Sequence, residues 1–380
     1  MDLDSVGQTE HSSDGSLFQT EAYDYALPPH LIAQESCPER DKSRLLVLSK
    51  STGECHHTWF YRIQEHLREG DLLVVNASKV IPARLFGRKS TGGEVEFLLL
   101  SPCSLQERST CWDTKNIFQE KDWLCLMRCS GNPRPGTIVH FGNDFEATIL
   151  QKDKEGIWKI RFHTEGNLED ELERVGLTPL PPYIKRKPRK QDERTLAIDR
   201  ERYQTIFAET PGSVAAPTAG LHFTRELCQR LDEAGIGFAE ITLHVGLATF
   251  RPMRVTDIRS HTLLPERYSI SEESSVKINS ALKEGRRVIA VGTTVVRCLE
   301  SAFGSFGEIV PHNGWATLCI LPGYSFRIIN AIITNFHLPR TSLMVLVSAF
   351  AGRDVMLHAY QEAIQSGYRF YSYGDAMCIQ

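Results

Sequence analysis

Between residues 80 and 163 the chain holds six short runs rich in β-branched and aromatic residues, at 81–86, 94–100, 123–128, 137–141, 146–150 and 157–162. Gly, Asn and Pro separate them, and no helical period lies among them. Short strands at this spacing can bury a face only by pairing with one another, so they predict a small β-barrel or sandwich. On either side the pattern is different. Residues 44–48 read as a strand, Phe60, Ile63 and Leu67 mark one face of a helix, and 71–75 is a second strand. After residue 165 the alternation resumes. A helix over 224–234 has Thr224 as N-cap and Gly235 past its end, and the strand 237–244 follows. A capped helix at 271–283 precedes a buried strand at 287–291. Further strands are expected at 315–321, 328–334 and 368–373, and helices at 341–351 and 354–365.

The fold class expected is therefore mixed α/β: a large α/β domain, residues 23–79 and 165–380, with a small β-barrel domain, 80–164, inserted into it. Residues 1–22 are expected to be a disordered acidic tail, because the first 24 residues carry six acids and no Lys or Arg. That charge is the opposite of a signal or transit peptide, so a cytoplasmic location is expected. No apolar run reaches the ~18 residues of a membrane span. The longest, 343–351, reads as a buried helix, and no membrane partner is expected.

The net charge of −4 becomes +2 without those 24 residues, so a nucleic-acid partner must be argued from local patches. The ten cysteines are scattered, with only Cys125 and Cys129 close in sequence. Reduced thiols are expected, and no zinc site.

Three segments share one design, a short loop of Gly, Thr, Asn or His leading at once into a helix. They are 217–224, 292–294 after Val291, and 334–341. In an α/β sheet such loops gather at the carboxyl ends of strands, where helix N-termini favour anions. Neither a P-loop nor a strand–G-x-G-x-x-G–helix fingerprint is present, which disfavours an ordinary ATPase or a dinucleotide enzyme. His222, His244, His261 and His337 flank these loops or similar turns and are candidates for acid–base work. None has the spacing of a helical metal site. Glu266, Glu300 and Asp375 are the carboxylate candidates, with Glu300 three residues after Arg297, as in a surface ion pair. Lys185, Arg186, Lys187, Arg189 and Lys190 form a basic run after Pro181-Pro182, suited to a phosphate backbone, with Tyr183 available to stack on a base.

The order of motifs is specific. Residues 212–224 (Gly212-Ser213-Val214 through His222-Phe223-Thr224), Tyr203-Gln204-Thr205, Leu243-His244-Val245-Gly246, Thr249-Phe250-Arg251-Pro252, Val291-Gly292-Thr293-Thr294, Thr334-Asn335-Phe336-His337-Leu338-Pro339 and Ser372-Tyr373-Gly374-Asp375-Ala376-Met377 resemble the S-adenosylmethionine:tRNA ribosyltransferase-isomerase family of queuosine biosynthesis. So do Ser43-Arg44-Leu45, 70–76 and 81–85. The resemblance runs from about residue 23 to 379.

It implies a transferase that moves the ribosyl part of S-adenosylmethionine onto 7-aminomethyl-7-deazaguanine at the tRNA wobble position, releasing adenine and methionine and leaving epoxyqueuosine. S-adenosylmethionine is then a consumed substrate, with no further cofactor and no metal, and a monomer is expected. The chemistry asks for a base at the ribose C5′ and an acid at the leaving adenine. On this resemblance His222 or His244 is expected as base, with Asp375 or Glu266 as acid or sulfonium partner. Gly292, Thr293 and Thr294 are expected to hold the methionine carboxylate. Tyr203, Gln204, Thr218, Gly220, Asn335 and His337 are expected to bind substrate, and Arg251 and Arg340 to face tRNA phosphate or the flipped base. The chain departs from the family pattern at 262–266, where a His and a Ser are absent, at Ala248 and at 76–79. The first departure leaves a non-catalytic tRNA-binding relative as the alternative, and the four histidines leave a metal-dependent nucleic-acid hydrolase as a third reading.

Overall fold

The computed structural model describes residues 17–106, 114–131, 133–142, 144–186, 192–246 and 252–380. Its centre is a nine-stranded mixed sheet. The strands are β1 (Arg44–Leu48), β2 (Cys55–Trp59), β3 (Leu72–Asn76), β12 (Gly237–Leu243), β13 (Glu266–Ile270), β14 (Val288–Val291), β15 (His312–Ala316), β16 (Ala331–Asn335) and β17 (Ala376–Ile379). Their spatial order is β15-β13-β12-β3-β14-β16-β17-β1-β2. The central strands β12, β3, β14 and β16 run parallel. Of these, β3, β14 and β16 are buried on both faces, which is why they open on unbroken apolar runs, whereas β12 alternates, with Glu240 exposed. Alternate residues go to opposite cores. Leu72, Val74, Val288, Ala290 and Ile332 pack with α4 (Glu272–Lys283), α5 (Thr293–Phe306), α6 (Ser342–Ala351) and α7 (Arg353–Gln365). Leu73, Val75, Ile289, Val291 and Ile333 pack with α3 (Arg225–Glu233) and with Phe60 and Ile63.

The inserted segment forms a closed barrel of β5 (Arg84–Lys89), β6 (Glu94–Pro102), β7 (Asp122–Cys129), β8 (Ile138–Gly142), β9 (Phe145–Lys152) and β10 (Trp158–His163), ordered β10-β7-β6-β5-β8-β9 and antiparallel throughout. Burial alternates along β6, β9 and β10, so every second side chain fills the interior, with Phe97, Trp123, Phe145 and Phe162 fully buried. Two short helices, α1 (Leu168–Val175) and α2 (Glu193–Arg202), lead back to the sheet. A two-stranded parallel pair, β4 (Ser78–Val80) with β11 (Thr210–Ser213), joins exit and return.

Several expectations shift in detail. Phe60–His66 is a 3-10 run rather than an α-helix, which suits the three-residue spacing of Phe60 and Ile63. The last strand is Ala376–Ile379, since Tyr371 at φ +70° breaks the run at 368–373. Residues 20–22, read as tail, form a 3-10 turn with the buried Tyr23, and Thr20 N donates to Thr256 O. Residues 1–16 of that tail, and residues 107–113, lie outside the described residues. No single described helix is long and apolar enough to cross a membrane.

The edge of the sheet where the loops gather is held by buried charge. Glu266 on β13 accepts from Arg297 Nη1 on α5 and, through its other oxygen, from Gly246 N at 3.2 Å. Arg297 spends its remaining donors on Leu318 O and Ala316 O, each at 3.1 Å. The surface pair expected of Arg297 and Glu300 does not form. Glu300 is buried, and its carboxylate accepts from Tyr324 Oη and from the N–H groups of Arg327 and Ile328. Glu266→Gln removes the charge that pairs with buried Arg297, so the stability measured by urea unfolding should drop by about 3–5 kcal/mol.

At the same edge His222, His244 and His337 are buried, and burial lowers each imidazole from 6.5 to about 3. The unfolded chain takes up protons near pH 6.5 that the fold refuses until about pH 3. These rings therefore leave stability unchanged above pH 7 and reduce it as pH falls through that window. The unfolding free energy from urea titrations should therefore decline as pH falls from 7 toward 4, each ring that stays neutral in the fold adding about 1 kcal/mol per pH unit.

Candidate active site

The site begins with strand register. Val291, the last residue of β14, lies opposite Ile333 of β16, and Gly292 N donates to Ile333 O at 2.8 Å, so β16 runs on past the end of β14 to Asn335. Gly292 then turns at φ +100°, a conformation open to glycine, and α5 starts on the next residue. No side chain caps that helix. Thr293 and Thr294 therefore present N–H groups ahead of the first intrahelical bonds. Asn335 ends β16 beside them, and the 3-10 turn Thr218–His222 closes over the gap.

Between these loops lies a narrow cleft. Thr218, Gly292, Thr293, Thr294, Asn335 and His337 all line it, so the three loop segments singled out in the sequence do meet in space. None of the described residues lining it is Asp, Glu, Lys or Arg. Its aromatic wall is Tyr183, Phe336 and Tyr371. The rings of Tyr183 and Tyr371 are 4.8 Å apart, and Tyr183 Oη shares a hydrogen with Ser372 Oγ at 2.5 Å. Tyr183 is thus a cleft residue rather than an exposed stacking platform. Tyr371 holds φ +70°, rare for a bulky side chain, and such strain clusters at functional sites.

The histidines divide by their hydrogen bonds. Asn335 Nδ2 donates to Tyr371 O at 3.2 Å and to His222 Nε2 at 3.1 Å. Nε2 of neutral His222 is then the acceptor, and its Nδ1–H donates to Ser43 Oγ at 2.7 Å. His337 uses both ring nitrogens, with Thr334 Oγ1 at 3.1 Å and Tyr360 Oη at 3.2 Å. His244 is different: it is buried, and neither ring nitrogen has a partner among the described residues. Its ring packs on Gly212, where a Cβ would come within 2.8 Å of it, and the next residue, Val245, lines the cleft. Burial, and then the charge of Arg267, keep it neutral. His261 is partly exposed at the end of a 3-10 turn, away from these loops.

Other candidate residues are held elsewhere. Asp375 accepts from Arg44 N at 3.1 Å and Arg369 N at 2.8 Å and pairs with the Arg369 guanidinium, tying the last loop to β1. Together with the Glu266–Arg297 pair, this puts both expected carboxylates into structural contacts outside the cleft lining. Gln204 clamps Val80, accepting from its N–H at 3.0 Å and donating to its carbonyl at 3.2 Å. Tyr203 is fully buried edge-on to Tyr373, and Gly220 packs on Thr205. Arg340 is half exposed and pairs with Asp24 at 3.5 Å. Arg186 is committed to Asp199 by two bonds of 2.9 and 3.0 Å, whereas Lys185 is exposed. Arg251, Lys187, Arg189 and Lys190 lie outside the described residues.

Sequence reasoning missed Tyr371 and Ser43. Ser43 opens the Ser43-Arg44-Leu45 motif, a signal that was present without a role, while the backbone of Tyr371 left no mark in the sequence. The departures at 76–79 and 262–266 also gain an explanation. Asn76 bridges β3 to β12 through Leu243 O at 2.9 Å and Leu243 N at 3.0 Å, and 262–265 is a largely exposed loop. Among the described residues no three His, Cys, Asp or Glu are grouped to hold a metal ion.

A family model described as Queuosine biosynthesis protein matches residues 20–379. The S-adenosylmethionine:tRNA ribosyltransferase-isomerase of Carboxydothermus hydrogenoformans is 48% identical over 94% of this chain and 98% of its own. That of Natranaerobius thermophilus is 44% identical over 95% and 99%. The crystal structure of S-adenosylmethionine tRNA ribosyltransferase from Thermotoga maritima covers 94% of this chain and 100% of its own, with 34% identity and a TM-score of 0.51. Matched across nearly its whole length in sequence, and built as an α/β sheet with an inserted barrel, the chain belongs to the S-adenosylmethionine:tRNA ribosyltransferase-isomerase family of queuosine biosynthesis.

Proposed function

We propose that this enzyme binds S-adenosylmethionine in the cleft between 217–222, 292–294 and 334–338 and transfers its ribosyl part to 7-aminomethyl-7-deazaguanine at the wobble position of tRNA. The observation that carries this reading is the meeting of those three loops in one cleft with no formal charge in its described lining. A phosphate ligand calls for Lys or Arg there. A sulfonium ligand instead suits the faces of Tyr183, Phe336 and Tyr371, through cation–π attraction of about 0.5–2 kcal/mol. The carboxylate of its methionine part would meet the N–H groups of Thr293 and Thr294.

The reaction then proceeds from the acidity that the sulfonium confers on the adjacent ribose C5′–H. We assign its removal to His244, the one of the three buried histidines whose ring nitrogens are uncommitted. Held neutral by burial, the ring has a lone pair at working pH. Proton transfer to it moves positive charge from the sulfonium centre to the imidazole instead of creating a new ion pair. The aminomethyl nitrogen of the tRNA base attacks as the ribose rearranges, adenine departs with a proton, methionine is released, and epoxyqueuosine remains. S-adenosylmethionine is consumed, and no cofactor is needed to balance these steps. His222, locked between Ser43 and Asn335, is a positioning residue. The exposed Lys185 begins the basic run two residues from Tyr183, which would place tRNA phosphates near the cleft.

Incubation with S-adenosylmethionine and tRNA bearing 7-aminomethyl-7-deazaguanine should give epoxyqueuosine in the digested tRNA, with one adenine and one methionine per event, by mass spectrometry. Loss of S-adenosylmethionine without a change in nucleoside mass contradicts the reading. His244→Asn should lower kcat by about 10²- to 10⁴-fold with little change in KM. His222→Asn should act mainly on KM for S-adenosylmethionine, since it loosens Asn335. Equal kcat losses in both variants would count against the assignment of the base.

A further inference from the structure

The cleft wall contains a hydrogen-bond acceptor that none of the described residues uses. Asn335 is 4% exposed, lines the cleft, and its Oδ1 is buried without a partner. The amide cannot turn to hide it. Its Nδ2 donates to Tyr371 O and to His222 Nε2 at 3.2 and 3.1 Å, and a flip would set Oδ1 against the Tyr371 carbonyl, which can only accept. A fixed acceptor left unpaired in a buried wall is costly unless a ligand donor meets it.

Beside it lie donors in the same condition. The uncapped start of α5 offers the N–H groups of Thr293 and Thr294, because Gly292 supplies no side chain and its carbonyl is taken by Val295 N and Val296 N. β14 and β16 are hydrogen-bonded parallel neighbours, with Val291 opposite Ile333, and Thr293, Thr294 and Asn335 beyond their paired residues line the same cleft. An acceptor and a set of donors together, in a cleft whose described lining has no formal charge, fit a ligand group that carries both signs on one carbon. A phosphate would leave Asn335 Oδ1 unused, and a simple amine would leave the helix dipole unmet.

We propose that this corner of the cleft recognises an α-amino-acid head group as a zwitterion, with Thr293 and Thr294 N–H on the α-carboxylate and Asn335 Oδ1 on the α-ammonium. The proposal rests on the reading of the cleft as the S-adenosylmethionine site, and it fixes how that ligand lies. The methionine head sits at the ends of β14 and β16, and the sulfonium and adenosine extend toward Tyr183 and Tyr371. It also gives the Tyr371 carbonyl a positioning role, since it holds the Asn335 amide in the orientation that leaves Oδ1 for the ligand.

The test is calorimetric titration of the full chain, with tRNA present, using S-adenosylmethionine, its analogue with the α-amino group replaced by hydrogen, and decarboxylated S-adenosylmethionine. The wild type should bind each analogue about 10- to 100-fold more weakly than S-adenosylmethionine. Asn335→Leu should bring S-adenosylmethionine down to the level of the deaminated analogue while still rejecting the decarboxylated one. Thr293→Pro, which deletes one N–H where proline is tolerated in a helix, should weaken only the second distinction. Equal wild-type affinity for S-adenosylmethionine and its deaminated analogue overturns the proposal and leaves the S-adenosylmethionine reading intact, as does unchanged discrimination in folded Asn335→Leu. Failure of the wild type to bind S-adenosylmethionine at all overturns both.

Discussion

The parallel pairing of β14 with β16 is the constraint on which the site depends. It brings the uncapped start of α5 and the side chain of Asn335 to one cleft, from neighbouring strands. A slip of one residue would turn Ile333 out of one core and Asn335 away from His222, because side chains alternate between faces. The two cores resist that slip, since Ile289, Val291 and Ile333 on one face and Val288, Ala290 and Ile332 on the other are all buried. Hydrophobic burial on both sides of a strand thus fixes the geometry of a polar cleft at its end.

The charged residues near that edge serve the scaffold. Glu266 with Arg297 and Asp375 with Arg369 hold the loops from behind, and the cleft itself is furnished with dipoles, hydroxyls and aromatic faces. This division explains why carboxylates that look suited to acid–base work in the sequence are placed elsewhere by the fold. A buried carboxylate with backbone N–H partners cannot leave them cheaply. A neutral imidazole without partners, as at His244, gives up nothing when a substrate arrives.

Much of this was legible in the sequence. The six runs between 80 and 163 lacked any helical period and close into a barrel. The Thr224, Ser271 and Thr341 caps each accept a hydrogen bond from the first turn of their helices. The loops at 217, 292 and 334 share a signature because they share a task, ending a strand and opening a helix or turn beside a ligand cleft. What stayed hidden depended on long-range contacts. The partner of Arg297 lies 31 residues away on another strand and not three residues on along its own helix. Arg186 looks like part of a free basic run until α2 brings Asp199 against it. The φ of Tyr371 is imposed by packing and by the bond from its N–H to Phe336 O, which no local pattern records.

The place of β17 in the sheet has a consequence for how the molecule is made. This strand, residues 376–379, lies between β16 and β1, so β1 and β2 have no strand pairing with the rest of the sheet until synthesis has passed residue 376. The barrel, whose strands are close in sequence, can close long before that. During translation the exposed edge of β1 must wait, and a chain cut short of β17 cannot join the two parts of the sheet or seat Asp375 against Arg44. Assembly of the sheet therefore follows the order of space and not the order of the chain, with one of the latest strands serving as its closing piece.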